Sequence, residues 1–173
     1  MNTSNVNDFY RAWDGCSGLT SFPTIDTSKG TRFLSTWTSC SFTSFRALDF
    51  SLGTDFGSAW DGCDLTAFPA VTFPAATNFA YAWRYNPITD FPAGAFDSTG
   101  TLIAGAFVQT FFSCALTAAS IENILVSLDT NGATGVTLSL NGGTNAAKST
   151  WTSAANTAYT NLIGKGWSIT YNA

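Results

Sequence analysis

The sequence predicts an α/β solenoid, a stack of about five coils of 23 to 24 residues that each contain a short helical turn and a parallel strand. Three observations carry this prediction. An aromatic register recurs at a nearly constant interval, a strand-like segment follows each copy, and the pattern changes near the C-terminus. A period between about 20 and 50 residues is typical of proteins whose repeats bury their apolar sides by stacking on one another.

The aromatic register is Phe-x3-Trp-x2-Cys. Its copies are Phe9/Trp13/Cys16, Phe33/Trp37/Cys40, Phe56/Trp60/Cys63, Phe79/Trp83/Asn86 and Phe107/Phe111/Cys114. Two aromatic residues four positions apart share one face of a helical turn, and a small residue precedes the second aromatic each time. We therefore expect each coil to contain an α-helical or 3₁₀ turn whose aromatic side chains enter the core.

A strand-like segment follows each register and begins with an apolar residue and a threonine. These pairs are Leu19–Thr20, Phe42–Thr43, Leu65–Thr66, Ile88–Thr89 and Leu116–Thr117. A phenylalanine stands three residues after the apolar position in four copies (Phe22, Phe45, Phe68 and Phe91). These segments are rich in strand-forming side chains, so we expect stacked parallel strands, with the threonines forming a ladder and the prolines at its margin.

The last part of the chain has a different pattern. Its elements are a helix at Ser120–Asp129 behind a serine N-cap, a strand at Val136–Leu140, a helix at Thr152–Ile163 and a strand at Trp167–Tyr171. Terminal units of solenoids differ from inner ones because they must cover apolar surface and strand edges. We expect residues 1–119 to form the repeat solenoid and residues 120–173 to form its capping region, within one domain.

Residues 3–22 read Thr-Ser-Asn-Val-Asn-Asp-Phe-Tyr-Arg-Ala-Trp-Asp-Gly-Cys-Ser-Gly-Leu-Thr-Ser-Phe. This phrase resembles the BspA-like leucine-rich repeat and the related mycoplasma-type surface-protein repeat, and the resemblance covers about residues 3–121. The tryptophans of the register stand where that family commonly has Phe, and its phenylalanines where the family often has Met. The tail around Leu162–Thr170 resembles the ends of similar repeat proteins in phage and bacterial genomes. The resemblance implies a leucine-rich-repeat-like solenoid attached to a surface.

Composition restricts the function. Charged residues make up 10% of the chain, the net charge is -4, and the seven basic residues form no run, which argues against nucleic-acid binding. No apolar stretch is long enough for membrane insertion, and the N-terminus lacks the features of a signal peptide. There is no histidine and no glycine-rich phosphate loop, so the sequence predicts a protein that is not an enzyme and uses no cofactor or metal.

Aspartates recur in equivalent positions of the repeat. The pairs are Asp14 with Asp61, Asp8 with Asp55, and Asp26 with Asp49. We expect these side chains to cap a turn in each coil. Calcium binding between coils and glycoside hydrolysis by paired carboxylates are the alternatives.

The four cysteines also share one position of the repeat. Stacked equivalents of this kind are explained by burial as small apolar side chains, so we expect reduced cysteines in the core. A disulfide between neighbouring coils is the alternative.

The chain begins inside a repeat, so its first coil has no cap in the sequence. Three explanations remain open at this point. A partner subunit covers the first coil, the chain is a fragment of a longer fibre, or the protein packs its own Met1 against that coil.

The sequence favours a non-enzymatic repeat protein displayed on an extracellular surface or a virion, where it serves adhesion, receptor binding or decoration. The missing signal peptide favours a virion component, such as a phage protein. The expected partners are a host-surface protein or glycan, or other subunits of the virion or surface. The main alternative is an architectural subunit that forms a homo-oligomer through its first coil. A glycan-acting enzyme and an ice-binding solenoid with a threonine array are weaker alternatives.

Candidate contact residues lie outside the regular positions of the repeat. Aromatic and arginine side chains are preferred anchors in recognition. The helical-turn side supplies Tyr10, Arg11, Tyr81, Arg84 and Tyr85, and the strand side supplies Ser21, Arg46 and Asp90.

Overall fold

A computed structural model describes residues 1–173. Its elements are helix α1 (Ala118–Asn131), strand β1 (Thr137–Leu140), a 3₁₀ turn (Lys148–Thr150), helix α2 (Ser153–Gly164) and strand β2 (Ser168–Tyr171). The two strands pair in parallel, with Thr137 opposite Ser168 and Leu140 opposite Tyr171. None of the helices combines the length and the apolar character that crossing a membrane requires.

The predicted α/β solenoid of five coils is wrong. Every helix and strand lies within residues 118–171, and residues 1–117 contain only turns, bends and isolated bridges. The predicted helical turns do not form because two residues in each repeat adopt positive φ, which a right-handed helix excludes. The predicted strands reduce to single bridges such as Ala67 with Asp90, since Pro69 and Pro92 follow closely and have no N–H to continue a ladder.

The residues with positive φ form two series. The first lies two residues after the phenylalanine of each register and contains Arg11, Ser35, Ser58, Tyr81 and Gln109, with φ between 51° and 63°. The second lies two residues after the second aromatic and contains Gly15, Ser39, Gly62, Tyr85 and Ser113, with φ between 56° and 74°. Between them, tight turns close, as in the hydrogen bond from the Ala12 N–H to the Phe9 carbonyl at 3.1 Å. Each register is therefore a ribbon of consecutive turns.

These ribbons leave alternate N–H groups directed at the next repeat. The N–H groups of Phe9, Phe33, Phe56 and Phe79 donate to the carbonyls of Arg32, Asp55, Asn78 and Ala106 at 2.8–2.9 Å. Residues 1–117 thus form layers, one for each register, joined by backbone hydrogen bonds. β1 adds the next layer, because Leu138 bridges Phe107, and β2 adds the last.

The predicted threonine ladder is confirmed from Thr43 onward. The hydroxyl groups of Thr66, Thr89 and Thr117 donate to the carbonyls of Thr43, Thr66 and Thr89 at 3.2–3.3 Å. A second ladder, which the sequence pattern did not predict, joins Thr31, Thr54 and Thr77 to the carbonyls of Asn7, Thr31 and Thr54 at 2.9–3.2 Å. Both ladders direct the hydroxyl hydrogens at neighbouring layers.

Aromatic rings fill the interior in stacked columns. Trp13, Trp37, Trp60, Trp83 and Phe111 follow one another with ring centroids 5.2–6.0 Å apart. Phe9, Phe33, Phe56, Phe79 and Phe107 form a second column at 5.1–5.6 Å. Phe22, Phe45, Phe68 and Phe91 form a third at 5.6–6.0 Å, and their edges meet the indoles. A fourth column, Phe50, Phe73 and Phe96, was not recognised in the sequence.

Helix α1 begins before the position that the sequence predicts. Thr117 is its N-cap and accepts the Ser120 N–H at 3.2 Å, so the predicted cap at Ser120 is wrong. Ser120 is buried instead, where its hydroxyl accepts the Phe91 N–H at 3.0 Å and donates to the Thr89 carbonyl at 2.8 Å. α1 thereby supplies hydrogen bonds to backbone groups of the neighbouring layers.

Helices α1 and α2 are joined at their C-terminal ends. The Lys165 ammonium donates to the Asp129 carboxylate at 2.6 Å and to the Asp129 carbonyl at 2.7 Å. Burial raises the pKa of Asp129, but hydrogen bonds from Asn161 and Lys165 outweigh it, so the pKa lies below its ordinary value. α2 has its own N-cap at Thr152, which accepts the Ala155 N–H at 3.0 Å.

We expect the positive φ to govern stability at Gly62 and Ser58. A Cβ atom at Gly62 would meet only the Ser39 hydroxyl oxygen, at 3.8 Å, so Gly62→Ala adds backbone strain without a clash and should lower the free energy of unfolding by about 1 kcal/mol. Ser58→Gly should raise it by about 0.5 kcal/mol. Urea denaturation measures both changes in the free energy of unfolding, provided that each variant keeps the m-value of the unmodified protein.

The matched control is Gly18→Ala, since Gly18 lacks a positive φ and has open space around its Cβ position. Equal losses from Gly62→Ala and Gly18→Ala would show that the φ of Gly62 is not the constraint.

Candidate functional site

The side chains around the positive-φ residues form one surface, which we call the turn face. It is defined by Tyr10, Arg11, Ser35, Ser58, Tyr81, Arg84, Tyr85 and Gln109. A left-handed residue reverses the local course of the backbone and directs its side chain away from the aromatic core. Because the layers are in register, side chains from equivalent positions become neighbours on this surface.

One cluster on the turn face is centred on Arg84. Its guanidinium donates to both carboxylate oxygens of Asp61, at 3.1 and 2.6 Å, and to the Gln109 side-chain oxygen at 3.2 Å. It also lies over the rings of Tyr81 and Tyr85, 4.7 and 5.0 Å from their centroids. Hydrogen bonding to Asp61 raises the pKa of Arg84, so the charge is permanent. Five side chains from three layers are thus held in one geometry.

A second cluster surrounds Tyr10 at the N-terminal end of the turn face. The guanidinium carbons of Arg32 and Arg11 lie 4.2 and 5.5 Å from the Tyr10 ring centroid. Arg32 pairs with Asp8 at 3.6 Å, and Arg11 pairs with Asp14 at 3.3 Å. These pairs are more exposed than Asp61–Arg84, so water screens them and they restrain the side chains less.

The surface between the two clusters is built from small side chains. It includes Ser35, Ser39, Ser58 and Gly62. The four surface cavities are lined by other residues, so this part of the turn face has no cleft. Small ligands usually occupy concave sites, whereas a flat surface with aromatic and arginine side chains suits a macromolecule.

The structure separates the predicted contact residues into two groups. Tyr10, Arg11, Tyr81, Arg84 and Tyr85 lie in the two clusters of the turn face. Ser21, Arg46 and Asp90 are exposed beside the third aromatic column and join neither cluster. Asp90 accepts the Thr89 hydroxyl at 3.1 Å and bridges Ala67.

Five members of the clusters were not predicted as contact residues: Asp8, Asp14, Arg32, Asp61 and Gln109. A signal for Asp61 was present, because Asp14, Thr38, Asp61 and Arg84 occupy one position of successive layers. A carboxylate one layer before an arginine at the same position places opposite charges side by side. Gln109 follows a longer interval, which obscured its equivalence with Tyr81.

The predicted turn-capping role is confirmed for four aspartates. Asp8, Asp26, Asp49 and Asp55 each accept the backbone N–H of the residue two positions on, at 2.8–3.0 Å. Asp14 and Asp61 are ion-paired with arginines instead, so the prediction is wrong for that pair. No group of three or more Cys, Asp or Glu side chains is placed to hold a metal ion.

Three of the four cysteines are buried as predicted, and the fourth, Cys16, is exposed. The buried thiols of Cys40, Cys63 and Cys114 donate to the carbonyls of Trp13, Trp37 and Trp83 at 3.0–3.2 Å. Asn86 takes the same position in its layer and donates to the Trp60 carbonyl at 2.7 Å. All four thiols are free, so the alternative disulfide does not form.

The first layer has an open end. Its outward carbonyls, those of Asp8, Tyr10, Ala12 and Asp14, accept no hydrogen bond, whereas the equivalent carbonyls of Arg32, Leu34, Thr36 and Thr38 accept one each from the first layer. A shallow cavity of about 230 Å³ lies here beside Phe9 and Trp13. Met1 borders it but is 93% exposed, so Met1 does not cover the end as one sequence hypothesis supposed.

Comparisons with protein-family models, with curated proteins and with solved structures find no match to this chain.

We expect iodoacetamide to modify one cysteine, Cys16, in the native protein at neutral pH. Burial raises the pKa of Cys40 to about 11 and that of Cys114 to about 12, and it raises the pKa of Cys63 as well. Buried thiols therefore lack both access and thiolate character. Intact-mass analysis and peptide mapping measure the modification, with the unfolded protein as the reference for four reactive thiols. Native-state labelling of Cys63 as fast as that of Cys16 would contradict the packing described.

Proposed function

We propose that the protein is a non-enzymatic recognition protein, displayed on a cell surface or a virion, which binds a host-surface glycan or protein through its turn face. The Arg84 cluster carries this proposal. Its arginine is fixed by Asp61, Gln109 and two tyrosine rings before any partner binds. Preorganised aromatic and arginine side chains lose little conformational entropy on binding, and they are the residues that contribute most to recognition interfaces.

Other features support the same proposal. Tyr85 is 53% exposed and Tyr10 is 44% exposed, so their rings are available beside the charged groups. Tyrosine offers an apolar ring face and a hydroxyl group together, which suits both sugar rings and protein surfaces. The low charge content and the resemblance to BspA-like surface repeats agree with display at a surface.

We expect Tyr85→Ala to weaken binding to a recognised cell type about tenfold, because it removes an exposed anchor and leaves the Asp61–Arg84 pair in place. Fluorescently labelled protein is bound to a panel of bacterial and animal cells and quantified by flow cytometry. Periodate treatment of the cells abolishes binding when the partner is a glycan, and protease treatment abolishes it when the partner is a protein.

The matched controls are Ser21→Ala and Asp90→Asn, which change exposed residues outside the turn face. Both controls should bind as the unmodified protein does. The proposal fails if no cell type is bound, or if the two controls lose as much binding as Tyr85→Ala.

An architectural subunit is a second candidate, favoured by the open end of the first layer. A row of four free carbonyls there repeats the row through which successive layers join. At the opposite end of the stack, β2 is an edge strand whose only partner is β1. Copies arranged head to tail would pair these two ends, and a contact between different surfaces of identical subunits propagates into a filament.

We expect Ala12→Lys to abolish such assembly, since Ala12 is exposed on the open end and a lysine there opposes edge pairing. Sedimentation velocity over a range of concentrations should give growing oligomers for the unmodified chain and monomers for the variant. Ser98→Lys is the control for added charge at an exposed site elsewhere. A monomer at every concentration of the unmodified chain would eliminate this candidate.

A further inference from the structure

Three aromatic rings near the C-terminus pack against one another and adjoin a lysine ammonium. We call this group the aromatic cage, and its members are Trp151, Tyr159 and Tyr171. The rings meet edge to face, with centroids 5.5–5.9 Å apart and interplanar angles of 65–84°. The Lys148 Nζ lies 4.2 Å from the Tyr159 centroid, 5.3 Å from that of Trp151 and 5.6 Å from that of Tyr171. All three distances fall within the range of about 6 Å over which a ring face attracts a cation.

The cage is assembled from three separate segments. Trp151 directly follows the 3₁₀ turn, Tyr159 belongs to α2, and Tyr171 ends β2. The Trp151 indole N–H donates to the Ala146 carbonyl at 3.1 Å, which fixes that ring at one edge. The backbone around the occupant is fixed as well, because the Lys148 N–H donates to the Asn172 carbonyl at 2.9 Å. The positions of the three rings therefore do not depend on the Lys148 side chain alone.

The cation is held by ring faces rather than by a carboxylate. Lys148 takes part in none of the salt bridges, and its ammonium makes one hydrogen bond, to the Asn156 side-chain oxygen at 3.0 Å. The Asn156 amide in turn donates to the carbonyls of Trp151 and Thr152 at 3.2 and 3.0 Å. A primary ammonium has three donors, so two of them find no protein acceptor.

A cation without N–H donors suits this arrangement, because three ring faces and a single acceptor supply its contacts. A quaternary ammonium has no N–H to satisfy, is weakly hydrated and is attracted to several ring faces at once, which is how aromatic cages recognise choline and methylated lysine. Lys148 lies in a turn of three residues and carries a flexible stem, so its side chain can leave without disturbing a long helix.

We propose that the aromatic cage is a binding site for a quaternary ammonium group, such as that of choline, and that Lys148 occupies it in the absence of ligand. The ligand enters as the Lys148 side chain swings into solvent, where its ammonium regains full hydration. Lys148 thus acts as an internal competitor that lowers the apparent affinity for the ligand. This site is separate from the turn face and does not depend on the function proposed for that surface.

We test the site with tetramethylammonium chloride and the variants Lys148→Ala and Lys148→Met. Removal of the competing ammonium should strengthen binding about tenfold or more in both variants relative to the unmodified chain. The readout is the shift of the Trp151 indole N–H signal in two-dimensional NMR spectra, which reports on a wall of the cage. Thermal unfolding confirms that each variant is folded, and Lys148→Met retains the apolar stem if Lys148→Ala is unstable.

Two controls isolate the cage chemistry. Ammonium chloride at equal ionic strength should leave the Trp151 signal unchanged, and Tyr159→Ala in the Lys148→Met background should abolish the response to tetramethylammonium. A folded Lys148→Met protein whose Trp151 signal ignores tetramethylammonium would overturn the proposal and leave Lys148 as a structural cation–π contact.

In folded Lys148→Met, phosphocholine and phosphatidylcholine vesicles then separate a soluble or glycan-linked source of choline from a lipid headgroup.

Discussion

The spacing between layers is the constraint on which the rest of the structure depends. Backbone hydrogen bonds join successive layers, and in β-sheets such bonds hold neighbouring strands about 4.8 Å apart, so equivalent side chains must pack on one another at a similar distance. Planar rings meet this demand by stacking, and the tryptophan column does so with centroids 5.2–6.0 Å apart. The side chain selected at one layer is therefore selected again at the next, which explains the repetition of Phe and Trp.

Burial of the stacked indoles costs free energy, because their N–H groups lose hydrogen bonds to water. The Nε1 groups of Trp37, Trp60 and Trp83 are buried and have no hydrogen-bond acceptor. Such a group costs about 1–3 kcal/mol, whereas burial of a tryptophan side chain contributes about 4–6 kcal/mol, so stacking prevails at each layer. The backbone carbonyls of the same residues are not left unpaired, since a thiol or the Asn86 amide of the next layer donates to each. Cysteine thus serves as a small donor as well as an apolar side chain.

The surfaces available for recognition are those that this packing does not use. On the turn face, left-handed residues direct their side chains outward, and two successive layers with Ser and Gly separate the layer of Tyr10 from the layer of Arg84. The aromatic cage lies outside the ribbons of turns, near the C-terminus. There the 3₁₀ turn, α2 and β2 bring its three rings together. Each surface combines rings with a cation, but the turn face holds its arginine through a carboxylate and the cage holds its lysine through ring faces.

The sequence by itself determined the period, the aromatic interior, the threonine ladder from Thr43 onward, four of the six capping aspartates and the locations of α1 and α2, because each follows from residue type and spacing. It led to the wrong local conformation, since Phe and Trp four residues apart fit a helical turn and a ribbon of turns with two positive-φ residues equally well. Only the tertiary structure decided that φ is positive at residues such as Ser58 and Tyr81, where the hydrogen bonds to the next layer outweigh the local strain. It also decided the contacts of Asp61 with Arg84 and of Lys148 with Tyr159, because layer register and strand pairing bring these groups together across the chain.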